Sequence, residues 1–304
     1  MTAKKKPPKK KTGGTWDPAE RNVYFIASNT VQLDACSNVT DHFLIAVNEI
    51  ATVKDKDLLL KWLDEGRKVF IDSGIFWLAN GHARRNGISM DDALRLAPEE
   101  LDDFEKLEEK YIKLLTEVGD RAWCYIEMDQ GGKENKRRTR ARHEAMGLRP
   151  TPVYHPIVDG WEYFDELAEV YDRLCFGNVV QANAPTRKRL VATAWERRNK
   201  YPDLWIHLLG LTPNALLNAF PIDSADSSSW LAAVRWNGFK PNICNNSFGT
   251  LPQNFQYKLH TNINYDKALQ MAACGFTFQV RNWRRLVQDY RDDIGCDDRM
   301  EIRK

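Results

Sequence analysis

From Asn22 onward, short runs rich in β-forming residues alternate with longer amphipathic stretches and turn signals, a rhythm that restricts the chain to folds made of repeated β-α units. Strands are predicted near Val23 to Ala27, Phe43 to Val47, Lys68 to Asp72, Trp123 to Asp129, Pro152 to Ile157, Leu174 to Val180 and Trp205 to Leu209. Two weaker runs lie around Ala225 and around Phe276 to Val280. The clearest helix runs from Pro98 to about Val118: Leu101, Phe104, Leu107, Ile112, Leu115 and Val118 recur at three- to five-residue steps, and Pro98 suits a first turn. Further helical patterns cover Asp55 to Glu65, Lys133 to Met146, Glu162 to Asp172, Thr186 to Lys200 and Thr212 to Phe220, the last with Thr212 as N-cap. Gly81 to Pro98 reads as an insertion after the third strand, and Asn237 to Gln256, rich in Asn, Pro and Gly, as a long loop. This is the pattern of a (β/α)8 TIM barrel with insertions, which occupies roughly 250 residues; a doubly wound open sheet is the alternative that the pattern leaves open.

Composition narrows the class further. No run approaches the roughly 18 to 20 apolar residues of a membrane span, and no signal-peptide core opens the chain, so a cytoplasmic protein is expected. The six cysteines (Cys36, Cys124, Cys175, Cys244, Cys274, Cys296) form no C-x-x-C pair, so free thiols are expected, with neither a disulfide framework nor a zinc ribbon. The formal charge of +2 is unevenly spread: six lysines fall within the first eleven residues, and without them the remainder carries −4. Such a Lys- and Pro-rich segment buries too little apolar surface to offset its ordering entropy, so residues 1–14 are expected to be a disordered tail. It serves either as a polyanion tether or merely as a solubilising end. No linker divides residues 15–304, which are expected to form a single domain.

Polar residues gather at the C-terminal ends of the predicted strands, where a barrel places its active site. Asp72-Ser73-Gly74 closes the run from Lys68, Glu127 and Asp129 close the run from Trp123, and His155 follows Tyr154. Gly177-Asn178 interrupts Leu174 to Val180, His207 precedes Leu208-Leu209-Gly210, and Asp223 to Ser227 follow the next helix. Taken singly, an Asp before Ser-Gly is as well explained as a turn residue, and a strand-end His as hydrogen-bonded scaffolding. Their shared position in consecutive units is what points to a site.

Those same residues carry a resemblance. Phe70-Ile71-Asp72-Ser73-Gly74-Ile75-Phe76 resembles the Asp-Ser-Gly-Gly-Phe motif of the tRNA-guanine transglycosylases, and Tyr125-Ile126-Glu127-Met128-Asp129-Gln130 their strand ending in Phe-Asp-Glu. Val153-Tyr154-His155 stands where that superfamily has Ile-Val-Gln, Phe176-Gly177-Asn178 where it has Ile-Gly-Gly, and Leu208 to Pro213 where it has Leu-Met-Gly-Val-Gly-Thr-Pro. Ile222-Asp223-Ser224-Ala225-Asp226-Ser227 is similar to the segment whose second Asp is the nucleophile. Order and spacing agree from about Phe70 to Trp230. Asp226-Ser227-Ser228-Ser229-Trp230 matches the Asp-Ser-x-x-Trp of phage and bacterial DNA deazaguanine transglycosylases. The C-x-C-x-x-C zinc cluster of the tRNA enzymes has no counterpart, and Cys244, His260 and Cys274 are too scattered to replace it by spacing.

The resemblance implies that guanine in DNA (or tRNA) is exchanged for a 7-deazaguanine base through a covalent aspartyl-glycosyl intermediate, with no cofactor. It makes Asp226 the nucleophile and Asp72 the acid/base group, because two neighbouring carboxylates drive their pKa values apart and divide the roles. Asp129 would accept N1–H and the exocyclic amine of the purine, or else simply cap the next helix. His155, where the superfamily has Gln, and the backbone N–H of Gly177 would donate to O6. Ser73, Gly74, Asn178, His207 and Gly210 complete the expected substrate contacts. Phe76, Trp77 and Trp161 are candidates to stack on a base pulled from its helix. Two basic helices, with Lys133, Lys136, Arg137, Arg138 and Arg140 on one and Arg187, Lys188 and Arg189 on the other, are the expected phosphate contacts, although a charged helix run also serves as a solvated face. Three other readings stay open: a zinc-free tRNA enzyme, a glycosidase or nucleoside hydrolase using the same aspartates, and a non-catalytic nucleic-acid binder.

Overall fold

The computed structural model describes residues 8–13, 22–179, 181–201, 203–212, 222–231, 269–270, 272–274 and 276–277. Its centre is an eight-stranded parallel sheet: β1 Val23–Ile26, β2 His42–Ala46, β3 Lys68–Asp72, β4 Cys124–Tyr125, β5 Val153–Tyr154, β6 Arg173–Phe176, β7 Trp205–Leu208 and β8 Ser224–Ser227. The strand order is β4-β3-β2-β1-β8-β7-β6-β5, so the first and last strands are neighbours. Between β4 and β5 the barrel is drawn together by a parallel bridge, Ile126 to Thr151. There the Thr151 N–H donates to the Tyr125 carbonyl at 2.8 Å, and the Glu127 N–H to the Thr151 carbonyl at 3.0 Å. The fold is therefore the (β/α)8 type and not the open sheet.

Strand alternation sorts side chains between two cores, as the period of two requires. Phe43, Ile45, Val69, Ile71, Leu174 and Ile206 point outward and pack beneath the helices. Tyr24, Leu44, Phe70, Cys124, Val153, Cys175 and Trp205 fill the barrel interior. Asp72 stands two residues after Phe70, His207 two after Trp205, and Asp226 two after Ser224. They therefore share the inward parity and sit one step nearer the barrel mouth.

The surrounding helices are α1 Thr30–Ala35, α2 Val53–Asp64, α3 Ile75–Asn86, α4 Met90–Arg95, α5 Phe104–Val118, α6 Gly132–Ala145, α7 Trp161–Val170 and α8 Ala184–Lys200. Helix α2 starts at a reciprocal Thr52–Asp55 capping box, and α8 at Asn183 followed by Pro185. Helix α5 starts at Phe104, not at Pro98, which opens a separate 3-10 turn; Phe104, Leu107, Leu115 and Val118 pack inward as their spacing anticipates, whereas Tyr111 and Leu114 are buried in place of the partly buried Ile112. The insertion after β3 holds the end of α3 and all of α4, which meet through Ala79, Ala83 and Ala93.

Several expectations need correction. Strands β4 and β5 are two residues long, not the six or seven of the apolar runs; beyond them the pairing continues only as the isolated Ile126–Thr151 bridge. Phe276 is helical, so the weak strand there does not exist at its start; residues 278–280, like the helix over 213–220 and the loop over 237–256, lie outside the described residues. The tail expected to be disordered through residue 14 is docked over residues 8–13. The Lys10 N–H donates to the Val170 carbonyl at 2.8 Å, the Thr12 N–H to Asp172 Oδ1 at 3.0 Å, and the Gly13 N–H to the Arg149 carbonyl at 2.6 Å. These contacts lie at the starts of the strands and cover the floor of the barrel. Gly13, at φ +65°, runs so close beneath β4 that a Cβ would stand 2.7 Å from the Trp123 carbonyl.

Candidate active site

At the opposite end, where the strands finish, a cavity of about 450 Å³ opens, lined by Asp72, Asp129, His155, Asn178, Gly210 and Asp226 among others. Ile26, Leu44, Leu94 and Leu209 supply apolar walls, and Phe76 and Trp77 stand at its edge. Each polar residue comes from a different βα unit, so the site exists only once the barrel closes.

Asp226, on β8, is almost wholly enclosed and is held by two donors. One carboxylate oxygen lies 2.9 Å from His207 Nε2 and the other accepts the Gly210 N–H at 2.9 Å. The opposite ring nitrogen of His207 is 2.6 Å from Ser224 Oγ. A carboxylate accepts, so toward Asp226 the donating nitrogen is Nε2, while Ser224 Oγ holds the far side of the ring at Nδ1. The imidazole is clamped by the Trp205 ring stacked at 5.7 Å and by Phe70 at 4.7 Å. This arrangement keeps Asp226 in one orientation toward the cavity.

Asp72 closes β3, and its Oδ2 accepts the Gly74 N–H at 3.1 Å. Gly74 is left-handed at φ +82°, and a Cβ there would come within 2.5 Å of Asn48 Oδ1, so the turn that aims Asp72 requires glycine. Enclosure in the barrel mouth pushes the Asp72 carboxyl up to about 7; the negative charges of Asp129, Asp226 and Glu49 act in the same direction, and only the Gly74 hydrogen bond opposes them. A carboxyl so placed exchanges its proton near neutral pH.

Asp129 lies beyond β4 and does not cap α6, whose N-cap is Gly131. Its Oδ2 is 3.0 Å from His155 Nε2, while the His155 N–H donates to Asp159 Oδ2 at 3.0 Å. Asp159 in turn binds the buried Lys136 ammonium at 2.6 Å. The other Asp129 oxygen has no protein partner among the described residues, and the residue lines the cavity.

The remaining predicted positions divide. Ser73 is fully buried and does not line the cavity, and His207 acts behind Asp226 and not on a ligand. Gly74 likewise serves Asp72. Gly177 is at the wall, but its N–H already donates to the Tyr154 carbonyl at 2.9 Å and is not available to a purine O6. What Gly177 contributes is space: a Cβ would lie 2.5 Å from His155 Nε2. His155 Nε2 is likewise committed, to Asp129. Asn178 has a left-handed backbone at φ +45° and a buried Oδ1 without a partner. The Gly210 N–H is taken by Asp226.

The two basic helices divide in the same way. Lys136 is enclosed by Asp159 and the Val153 carbonyl, and Arg140 is paired at 2.6 Å with Glu127, so neither contacts phosphate. Arg137 is tied to Glu134 and Glu166, Arg138 to Glu99, and Arg187 to the carbonyls of Val179 and Ala182. Lys133, Lys188 and Arg189 are exposed. Trp161 packs among Tyr154, Phe164 and Phe176 and belongs to the core. Sequence reasoning missed Asn48 and Glu49, which follow β2 and line the cavity, as well as Asn80 and Gln181. The signal for the first two was the one used elsewhere, polar residues directly after a strand.

Among the described residues no three His, Cys, Asp or Glu side chains converge as a metal site, and no helix is long and apolar enough to cross a membrane. Set against known protein families and curated proteins, the sequence matches no family model and no curated protein.

Proposed function

We propose that the chain is a base-exchange enzyme that replaces guanine in DNA with a 7-deazaguanine derivative through a covalent aspartyl-glycosyl intermediate. The observation that carries this reading is the meeting of Asp72, Asp129 and Asp226 in one cavity, with Asp72 poised near neutral pH and Asp226 oriented by His207 and Gly210. In the first step a carboxylate oxygen of Asp226 attacks C1′ of the nucleotide while the electron pair of the C1′–N9 bond leaves with the purine. Protonated Asp72 supplies the proton that the departing guanine needs. The incoming base gives a proton back to Asp72, its N9 attacks C1′, and Asp226 is released as carboxylate. Two displacements retain the configuration at C1′. Asp129, with one oxygen open to the cavity, accepts the N1–H and amine donors that guanine and 7-deazaguanine share. The O6 donors expected from His155 and Gly177 are not part of this reading.

The test is exchange of radiolabelled guanine into DNA and, separately, into tRNA. Label entering DNA, and its loss with Asp226→Asn in a folded protein, supports the reading. Label entering tRNA alone moves the activity to the other polymer. Free base released without incorporation identifies a hydrolase, and neither outcome leaves a binding protein.

A further inference from the structure

Phe76 and Trp77 are 58% and 64% exposed, an unusual placement for two adjacent aromatics in the first turn of a helix. Both line the cavity edge, and the turn before them is held by Gly74 against Asn48. They are therefore fixed at the mouth beside Asp72. The interior wall available to a base that has entered is aliphatic, made of Ile26, Leu44 and Leu209, so the aromatics face what remains outside.

Charge divides the same space. The interior carries Asp72, Asp129, Asp226 and Glu49, which repel a phosphate. Outside, Lys133 in the first turn of α6, and Lys188 and Arg189 near the start of α8, are exposed and make no ion pair among the described residues. Helices α6 and α8 follow β4 and β6, so both begin on the face where the cavity opens. A ligand that suits both zones puts a donor-rich base inside and keeps its phosphates at the rim.

We infer that the rim formed by Phe76 and Trp77 is a stacking platform for the nucleobases next to the one in the cavity, and that the polymer engaged is an unpaired stretch of polynucleotide. The inference rests on the base-exchange reading and specifies the substrate of that site. Bases in a duplex are stacked on their own neighbours and offer no face to these rings, whereas in an unpaired strand each base does. Aromatic and cationic groups side by side are the combination that holds single strands with little sequence preference.

The test is direct binding, read by fluorescence anisotropy with the full-length protein, of one oligodeoxynucleotide, its duplex and the equivalent oligoribonucleotide. The wild type is expected to bind an unpaired strand more tightly than the duplex; the two single strands tell DNA from RNA. Trp77→Ala and Phe76→Ala should each weaken single-strand binding roughly tenfold, leaving duplex binding unchanged, and Trp77→Phe should retain most of the affinity. Equal affinity for single strand and duplex, or single-strand binding indifferent to Trp77→Ala, overturns the inference. Both residues are exposed, and unchanged thermal melting shows that the variants fold. Because the readout is binding, Trp77-dependent binding without base exchange refutes the function proposed above and leaves the platform standing. Exchange without Trp77-dependent binding does the reverse.

Discussion

Replacing Asp72 with Asn removes a carboxyl that the barrel mouth makes unfavourable to ionise, and its effect on stability has a definite pH dependence. In the unfolded chain the group titrates near 3.8, and in the fold at about 7. Below the lower value it is protonated in both states. Between the two, the folded state binds the extra proton, so wild-type stability falls as pH rises from about 4 and levels off above about 7. Slightly more than three pH units at 1.36 kcal/mol each set a ceiling of about 4 kcal/mol. Asp72 keeps partial contact with solvent in the cavity, which roughly halves this, to about 2 kcal/mol. Asn cannot ionise and fills the same volume. The variant should therefore gain about 2 kcal/mol relative to wild type between pH 4 and pH 8, a rise in relative melting temperature of roughly 4 °C, while its turnover falls. Thermal unfolding followed by circular dichroism across that range, with both proteins in the same buffers, measures it. Parallel curves for the two proteins would show that Asp72 ionises as freely in the fold as in water, and the argument for its acid/base role would go with them.

Gly177→Ala should lower exchange sharply and destabilise the fold by about 1 to 3 kcal/mol, because the added methyl must displace His155 and with it Asp129; chemical denaturation and an exchange assay read the two effects separately. Asp223→Asn leaves the Arg198 guanidinium buried beside β7 without its counter-charge and should cost about 3 to 5 kcal/mol, measured as loss of urea resistance. An unchanged midpoint would mean that water reaches Arg198. Ser224→Ala removes the hydroxyl that holds the His207 ring from behind and should reduce turnover while leaving polynucleotide binding as it was; a loss of both together would point to collapse of β8 instead. Deleting residues 1–13 uncovers the starts of β4 and β6 and should lower the melting temperature; an unchanged value would mean that the contacts of Lys10, Thr12 and Gly13 add nothing to stability.

What sequence alone determines here follows from periods and from the chemistry of single positions. The period of two in Lys68 to Asp72 sends Val69 and Ile71 one way and Phe70 and Asp72 the other, and repetition of such units implies a parallel sheet with its polar ends on one face; that the sheet closes was decided by the Ile126–Thr151 bridge. Thus Asp72, Asp129, His155 and Asp226 were legible as one group before any contact was known. Burial of charge was not legible. Lys136 and Arg140 read as phosphate contacts on an exposed basic helix, and they are enclosed because Asp159 and Glu127 arrive opposite them when the barrel closes; the buried Arg198–Asp223 pair was equally invisible. The docking of residues 8–13 was hidden for the same reason: a Lys- and Pro-rich segment has no apolar pattern, and its partners are backbone groups of the barrel floor together with the Asp172 and Glu144 carboxylates. So was the division of labour around Asp226. Local spacing places His207 and Gly210 near a strand end, but only the pairing of β7 with β8 turns Nε2 and an N–H onto the two oxygens of one carboxylate, since a hydrogen bond depends on a distance and an angle that no one-dimensional pattern contains.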